Sequence, residues 1–161
     1  MREEHWTSSE EETLALARSF AGRLKRGDVI ALFGDLGTGK TRFVKGVCEF
    51  FGAKDHVSSP SFIILNRYGG VDEKGEELLL HHVDLYRVKT LDEIYDLGYE
   101  EFFYGDGITL IEWAEQLGEL LPPRRYEIRL DYGTADTERR ISFELVELSA
   151  QRSKQNAAGV R

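Results

Sequence analysis

A single cysteine, Cys48, stands among the 161 residues. This excludes an intrachain disulfide and a metal centre built on several thiolates, and it suits a reducing compartment. No uninterrupted run of about 18 apolar residues is present, so a bilayer span is not expected. The opening Met1-Arg-Glu-Glu-His-Trp6 is acidic and lacks the apolar core and small-residue cleavage site of a secretory signal, so the expected location is the cytoplasm. Positive charge is also scarce. The formal net charge of −8 disfavours a broad grip on DNA or on any phosphate backbone unless basic residues gather on one face. Arg124-Arg125 and Arg139-Arg140 are the pairs that could gather so, and they are read as a solvated rim. The Asn/Thr-Lys-x-Asp signature of guanine recognition is missing, and no internal repeat is seen. The length fits one domain with one sizeable core.

Several segments have clear periodicity. Ser8 and Ser9 with Glu10 to Glu12 offer a helix start, and Leu14, Leu16, Ala17, Phe20, Ala21 and Leu24 then recur at helical spacing. Residues 29–33, Val-Ile-Ala-Leu-Phe, form a continuous apolar run of strand length, expected to be buried on both faces. Phe43, Val44, Val47, Phe50 and Phe51 mark a helix over 42–51 that stops at Gly52. Residues 61–68 and 77–84 read as an antiparallel strand pair joined by a turn-rich stretch over 69–75. Thr90-Leu-Asp-Glu93 is a capping box opening a short helix, and 99–104 another turn or two. A short buried strand follows over 108–111 and a modest helix over 113–121, ended by Pro122-Pro123. Alternating apolar residues at 126–130 and 141–145 then predict a terminal hairpin. The globular domain is expected over residues 1–148 and a frayed tail over 149–161.

The segment Gly34-Asp35-Leu36-Gly37-Thr38-Gly39-Lys40-Thr41 fits the phosphate-binding pattern of glycine, four residues, Gly-Lys and Ser or Thr. A chance match in a chain of this length is on the order of one per cent at average glycine usage. Its setting between a buried strand and a helix is the arrangement in which backbone N–H groups and a helix N-terminus together hold phosphate oxygens. Lys40 is expected to place its charge on the β- and γ-phosphates, and the Thr41 hydroxyl to join a Mg²⁺ shell. The next residue, Arg42, is expected to bind nucleotide along with residues 34–41; it occupies the place of the third glycine in a dinucleotide fingerprint, which argues against that alternative. With Lys40 expected on an exposed loop, Lys40→Ala should abolish nucleotide binding and spare the fold.

Phosphoryl transfer also needs an acid to orient Mg²⁺ and a group to place the attacking water. Asp84 and Glu112 each end an expected strand and would reach the phosphate edge if those strands lie parallel beside residues 29–33. His81 and His82 are strand neighbours that point to opposite faces, so a zinc site is not expected. His82 and Asp84 do share a face; they form either a hydrogen-bonded pair near the γ-phosphate or a strand acid beside a structural histidine.

With residues 34–41, Ser59-Pro60-Ser61-Phe62, His82-Val-Asp84-Leu-Tyr86-Arg87 and Ile111-Glu112-Trp113 in this order, the chain resembles the bacterial TsaE family over roughly residues 9–148. Ser61 stands where that family usually has threonine, which keeps a hydroxyl. The resemblance implies an α/β fold: a single P-loop NTPase domain, an α/β/α sandwich with a mixed central sheet and a C-terminal β-hairpin. It implies an ATPase, with ATP and Mg²⁺ as cofactors, that binds the TsaD transferase and its TsaB partner. That complex makes N6-threonylcarbamoyladenosine at position 37 of tRNAs reading codons that begin with A, so tRNA is met indirectly. By the same resemblance Thr41 and Glu112 hold Mg²⁺, with Asp84 acting through water, and Lys40, Asp84 and Glu112 are the catalytic residues. Ser59, Pro60, Ser61 and Phe62 form a nucleotide-sensing switch, and His82, Tyr86, Arg87 and Trp113 are supporting residues of the site. Two other readings remain open on sequence: a small-molecule kinase, for which no lid-like insertion is evident, and an adaptor gated by nucleotide binding with incidental hydrolysis.

Overall fold

The computed structural model describes residues 1–58 and 65–149, Phe102 through its backbone alone. The expected switch residues Ser59, Pro60, Ser61 and Phe62 lie outside the described residues, as does the expected tail beyond residue 149.

Seven strands form one mixed sheet: β1 (Glu3–Thr7), β2 (Val29–Phe33), β3 (Leu65–Val71), β4 (Glu77–Asp84), β5 (Ile108–Glu112), β6 (Arg124–Tyr132) and β7 (Arg139–Glu147), in the spatial order β1-β7-β6-β2-β5-β4-β3. The inner strands β6, β2, β5 and β4 are parallel, while β3 pairs antiparallel with β4, and β7 antiparallel with both β6 and β1. Helices α1 (Glu10–Ala21) and α2 (Lys40–Phe50) cover one face. The short helices α3 (Leu91–Asp96) and α4 (Tyr99–Phe103), with a 3-10 helix over Ala114–Leu120, cover the other. The expected sandwich, mixed sheet and terminal hairpin are all present.

The apolar run of β2 is explained by this layering. Ile30 and Leu32 join Phe20, Phe43 and Val47 in the core beneath α1 and α2, whereas Val29 and Ala31 join Ile94, Phe103 and Leu117 on the opposite side. Burial of both faces of a parallel strand requires such unbroken hydrophobicity. Close approach of α1 and α2 depends on Gly46: a Cβ there would lie 2.5 Å from the Ala17 Cβ and 2.7 Å from the Leu14 carbonyl oxygen. Helix α1 starts at Ser9, whose hydroxyl accepts the Glu12 N–H at 3.1 Å, and α3 opens with the expected capping box of Thr90 and Glu93.

Three local expectations are corrected. Strand β1 was not anticipated; it pairs Glu3–Thr7 with residues 139–143 at the sheet edge, and its polar sequence carries no apolar signal. The joining stretch begins later than residue 69, because Gly69 and Gly70 pair with Leu79 and Leu78 within the ladder. The turn is built instead by Asp72, whose carboxylate accepts the N–H groups of Lys74 and Glu76 at 2.9 Å each. Finally, Trp113 does not begin a helix. It adopts a left-handed conformation, φ 58° and ψ 42°, and the 3-10 helix that follows is broken at Gly118.

Candidate functional site

The loop over residues 34–39 leaves the carboxyl end of β2 and opens α2. Gly34, Gly37 and Gly39 all have positive φ, at 153°, 82° and 107°. At Gly34 the need for glycine is steric as well, since a Cβ would sit 2.6 Å from the Leu130 carbonyl oxygen. Side chains of the β6–β7 hairpin brace the outside of the loop. Tyr132 donates its hydroxyl to the Leu36 carbonyl, and Arg139 donates to the carbonyls of Thr38 and Gly37 at 3.2 and 3.3 Å. The Arg139 guanidinium also stacks on the Tyr132 ring, 4.6 Å from its centroid. Arg139 therefore is not part of a solvated rim. Of the other three arginines considered from sequence, Arg124 pairs with Asp28, Arg125 with Glu127 and Arg140 with Asp131.

Parallel pairing brings both strand-end acids to this loop. Glu112 lies opposite Leu32 across β2–β5 and opposite Asp84 across β4–β5. Glu112 is only 3% exposed. Its carboxylate accepts the Thr41 hydroxyl, with both oxygens at 2.9 Å, and faces His82 Nε2 at 2.5 Å. The other ring nitrogen of His82 meets the Tyr68 hydroxyl at 3.1 Å. Both ring nitrogens are thus engaged, and the alternative of a His82–Asp84 pair gives way to His82–Glu112. Sharing a strand face put His82 near the acids, but the carboxylate from the neighbouring strand is the one it meets. Asp84 accepts the Tyr86 N–H at 3.0 Å, as a strand-end turn residue does, and also lines the cleft.

Lys40 is the first residue of α2 and is 5% exposed, contrary to the exposed placement expected from sequence. Its ammonium donates to the carbonyls of Gly34 at 2.5 Å and Asp35 at 3.0 Å, and lies 4.0 Å from the centre of the Trp113 ring. Burial holds its pKa below the usual lysine value, opposed by the negative charges of Glu112, Glu115, Asp84 and Asp35. The left-handed Trp113 directs its indole onto Lys40 and against Tyr86, with ring centroids 5.0 Å apart. An αL conformation costs a bulky residue on the order of 1–2 kcal/mol, and here it sits at the cleft.

The cleft encloses about 510 Å³ and is lined by Lys40, Thr41, Asp84, Tyr86, Glu112 and Trp113 among others. Glu10, Lys45, His56 and Val57 also line it and were not anticipated. Lys45 had a legible signal, because it follows Thr41 by four residues and so shares its helix face. A second hollow of about 250 Å³ lies on the other side of the loop, between Ser9, Thr13, Asp136 and Arg139. Arg87 is exposed and lines neither space. The donors around Thr41 are hard oxygens, one hydroxyl and two carboxylates. They suit Mg²⁺, which takes one or two carboxylates and completes its shell with water and phosphate oxygens.

The family model described as Threonylcarbamoyl adenosine biosynthesis protein TsaE matches residues 7–141. The chain belongs to the TsaE family. It is 43% identical to the tRNA threonylcarbamoyladenosine biosynthesis protein TsaE of Bacillus subtilis over 91% of this chain and 88% of that protein. The TsaE of Rickettsia conorii is 41% identical over 79% of this chain and 70% of its own length. The crystal structure of Bacillus subtilis YdiB superposes with a TM-score of 0.74 at 36% identity, covering 99% of this chain and 93% of that one. The P-loop NTPase architecture and membership of TsaE are therefore shown together. Among the described residues, no helix of this TsaE protein is long and apolar enough to cross a membrane.

Proposed function

We propose that this TsaE protein is a cytoplasmic Mg²⁺-dependent ATPase that binds the TsaD–TsaB complex and supports repeated rounds of N6-threonylcarbamoyladenosine formation on tRNA. One observation carries the ATPase reading: the phosphate-loop hydroxyl of Thr41 and the buried carboxylate of Glu112 meet at 2.9 Å, with Asp84 in register beside them. The side of the loop holding Lys40, Thr41, Asp84 and Glu112 has the chemistry for the γ-phosphate. The smaller hollow near Ser9 and Arg139 is then left for the nucleoside. With no guanine signature in the sequence, the base is adenine.

In this reading the backbone N–H groups of the loop and the start of α2 receive the phosphate oxygens. The Lys40 ammonium transfers from two loop carbonyls to the β- and γ-phosphates. Thr41 and Glu112 would hold Mg²⁺ directly and Asp84 through water, and the ion would supply charge neutralisation at those phosphate oxygens. Asp84 would also accept a hydrogen bond from the water that attacks the γ-phosphorus, as the bond to the bridging oxygen breaks to leave ADP. Trp113 and Tyr86 wall the cleft. The formal net charge of −8 fits work through protein partners more than a direct grip on a polynucleotide backbone.

Phosphate release from ATP by the wild-type protein and by Glu112→Gln, with nucleotide binding measured in parallel, tests the site. The expected result is retained binding and hydrolysis reduced at least about 100-fold, the scale of losing a group that acts on transition-state charge. Hydrolysis by Glu112→Gln at the wild-type rate would remove Glu112 from the chemistry.

A further inference from the structure

We propose that Tyr68 is a positioning residue for the metal-holding carboxylate, acting through His82. Four side chains from three strands and α2 form a continuous hydrogen-bonded line: Tyr68 on β3, His82 on β4, Glu112 on β5 and Thr41 on α2. Tyr68, His82 and Glu112 are all buried. The line runs along the face covered by α1 and α2, which is also the face on which Thr41 stands above the sheet.

An ionised Glu112 only accepts, so one hydrogen comes from the Thr41 hydroxyl and another from His82 Nε2–H. On the far side of the ring, His82 Nδ1 meets the Tyr68 hydroxyl at 3.1 Å. Tyr68 thus holds the imidazole in the orientation that presents Nε2 to Glu112. Its hydroxyl accepts from the Asn66 amide and donates to the Ser58 carbonyl, each 3.4 Å away. Without Tyr68, His82 would lose the partner that holds its ring, and Nε2 would no longer be kept at 2.5 Å from the carboxylate. Glu112 would then turn from the position it shares with Thr41. Outer partners of this kind orient metal ligands without touching the metal.

The inference rests on Thr41 and Glu112 holding Mg²⁺, and its test separates the two ideas. Binding of a fluorescent ADP analogue is titrated against Mg²⁺ and in EDTA for the wild type, Tyr68→Phe, His82→Gln and the double variant, with thermal melts alongside. Glutamine keeps an N–H for Glu112 but has no imidazole for Tyr68 to hold. Tyr68→Phe should raise the half-saturating Mg²⁺ about 10-fold, the lower end of outer-partner effects on metal affinity, while the affinity in EDTA stays unchanged. In the His82→Gln background the same Tyr68→Phe change should have no further effect. An unchanged Mg²⁺ requirement in Tyr68→Phe, an equal loss of affinity in EDTA, or full additivity with His82→Gln would each overturn the proposal. A wild-type protein whose nucleotide affinity ignores Mg²⁺ would instead overturn the metal site, and the role of Tyr68 with it. If Tyr68→Phe does not fold, His82→Ala, which removes the ring through which Tyr68 acts, decides: a raised Mg²⁺ requirement supports the line, and an unchanged one refutes it.

Discussion

Replacing Lys40 by methionine separates the two things this residue does. Methionine keeps an unbranched stem of similar length that can lie against Trp113, but it removes the charge and the hydrogen bonds to Gly34 and Asp35. Two charge-assisted bonds are worth about 1.5–3 kcal/mol each. Against this stands the cost of burying an ammonium at 5% exposure, shown by the downward shift of the Lys40 pKa through desolvation and amounting to several kcal/mol for an ion removed from water. The opposing quantities are of similar size, so the ligand-free fold should change by no more than about 2 kcal/mol, or about 4–8 °C in Tm for a domain of this length. Nucleotide binding has no such offset. Loss of the charge from a buried phosphate contact costs about 2–5 kcal/mol, hence at least a roughly 30-fold weaker Kd. Thermal denaturation and calorimetric titration with a non-hydrolysable ATP analogue measure both. A melt lowered by more than about 10 °C would show that Lys40 mainly supports the fold, and unchanged affinity would refute its phosphate role.

Arg139→Ala should leave the sheet intact but loosen the phosphate loop, weakening nucleotide affinity about 10-fold for roughly 1.4 kcal/mol of lost preorganisation; titration shows whether affinity or only stability responds. Gly46→Ala should destabilise the protein by about 1–3 kcal/mol through overpacking against Ala17, despite a helix-propensity gain of about 1 kcal/mol. A higher Tm for Gly46→Ala would show that α1 and α2 can separate at little cost. Cys48 is fully buried, with its thiol pKa pushed up to about 12 chiefly by desolvation. It should resist iodoacetamide at pH 8 in the native protein and react once denaturant is added, and rapid native labelling would contradict its placement.

Much of the site was legible because its central part is contiguous. A two-face apolar strand, a glycine-rich loop and an amphipathic helix lie within residues 29–50, and each has its own local signal. Asp84 and Glu112 could be placed because a strand ending in an acid has only one sheet edge to face once the strands are parallel. What escaped depends on residues brought together from far along the chain. Arg139 and Tyr132 hold a loop about a hundred positions earlier, so nothing local distinguished Arg139 from a surface arginine. The burial of Lys40 follows from the indole of Trp113, whose left-handed backbone no propensity foretells for tryptophan. For His82, the period of the strand gave the correct face, but register with β5 chose Glu112 over Asp84. Strand β1 is stabilised by pairing with β7, and its sequence needs only to tolerate an edge.

The most direct test of the central claim is ATP turnover with Mg²⁺ by this protein alone and with TsaD and TsaB added, while threonylcarbamoyladenosine formation on tRNA is followed in the same reactions. The account predicts slow hydrolysis alone, faster hydrolysis with the partners, and more than one modification per TsaD–TsaB complex only when this protein and ATP are both present. Multiple turnovers of modification supported equally well by Glu112→Gln would contradict it.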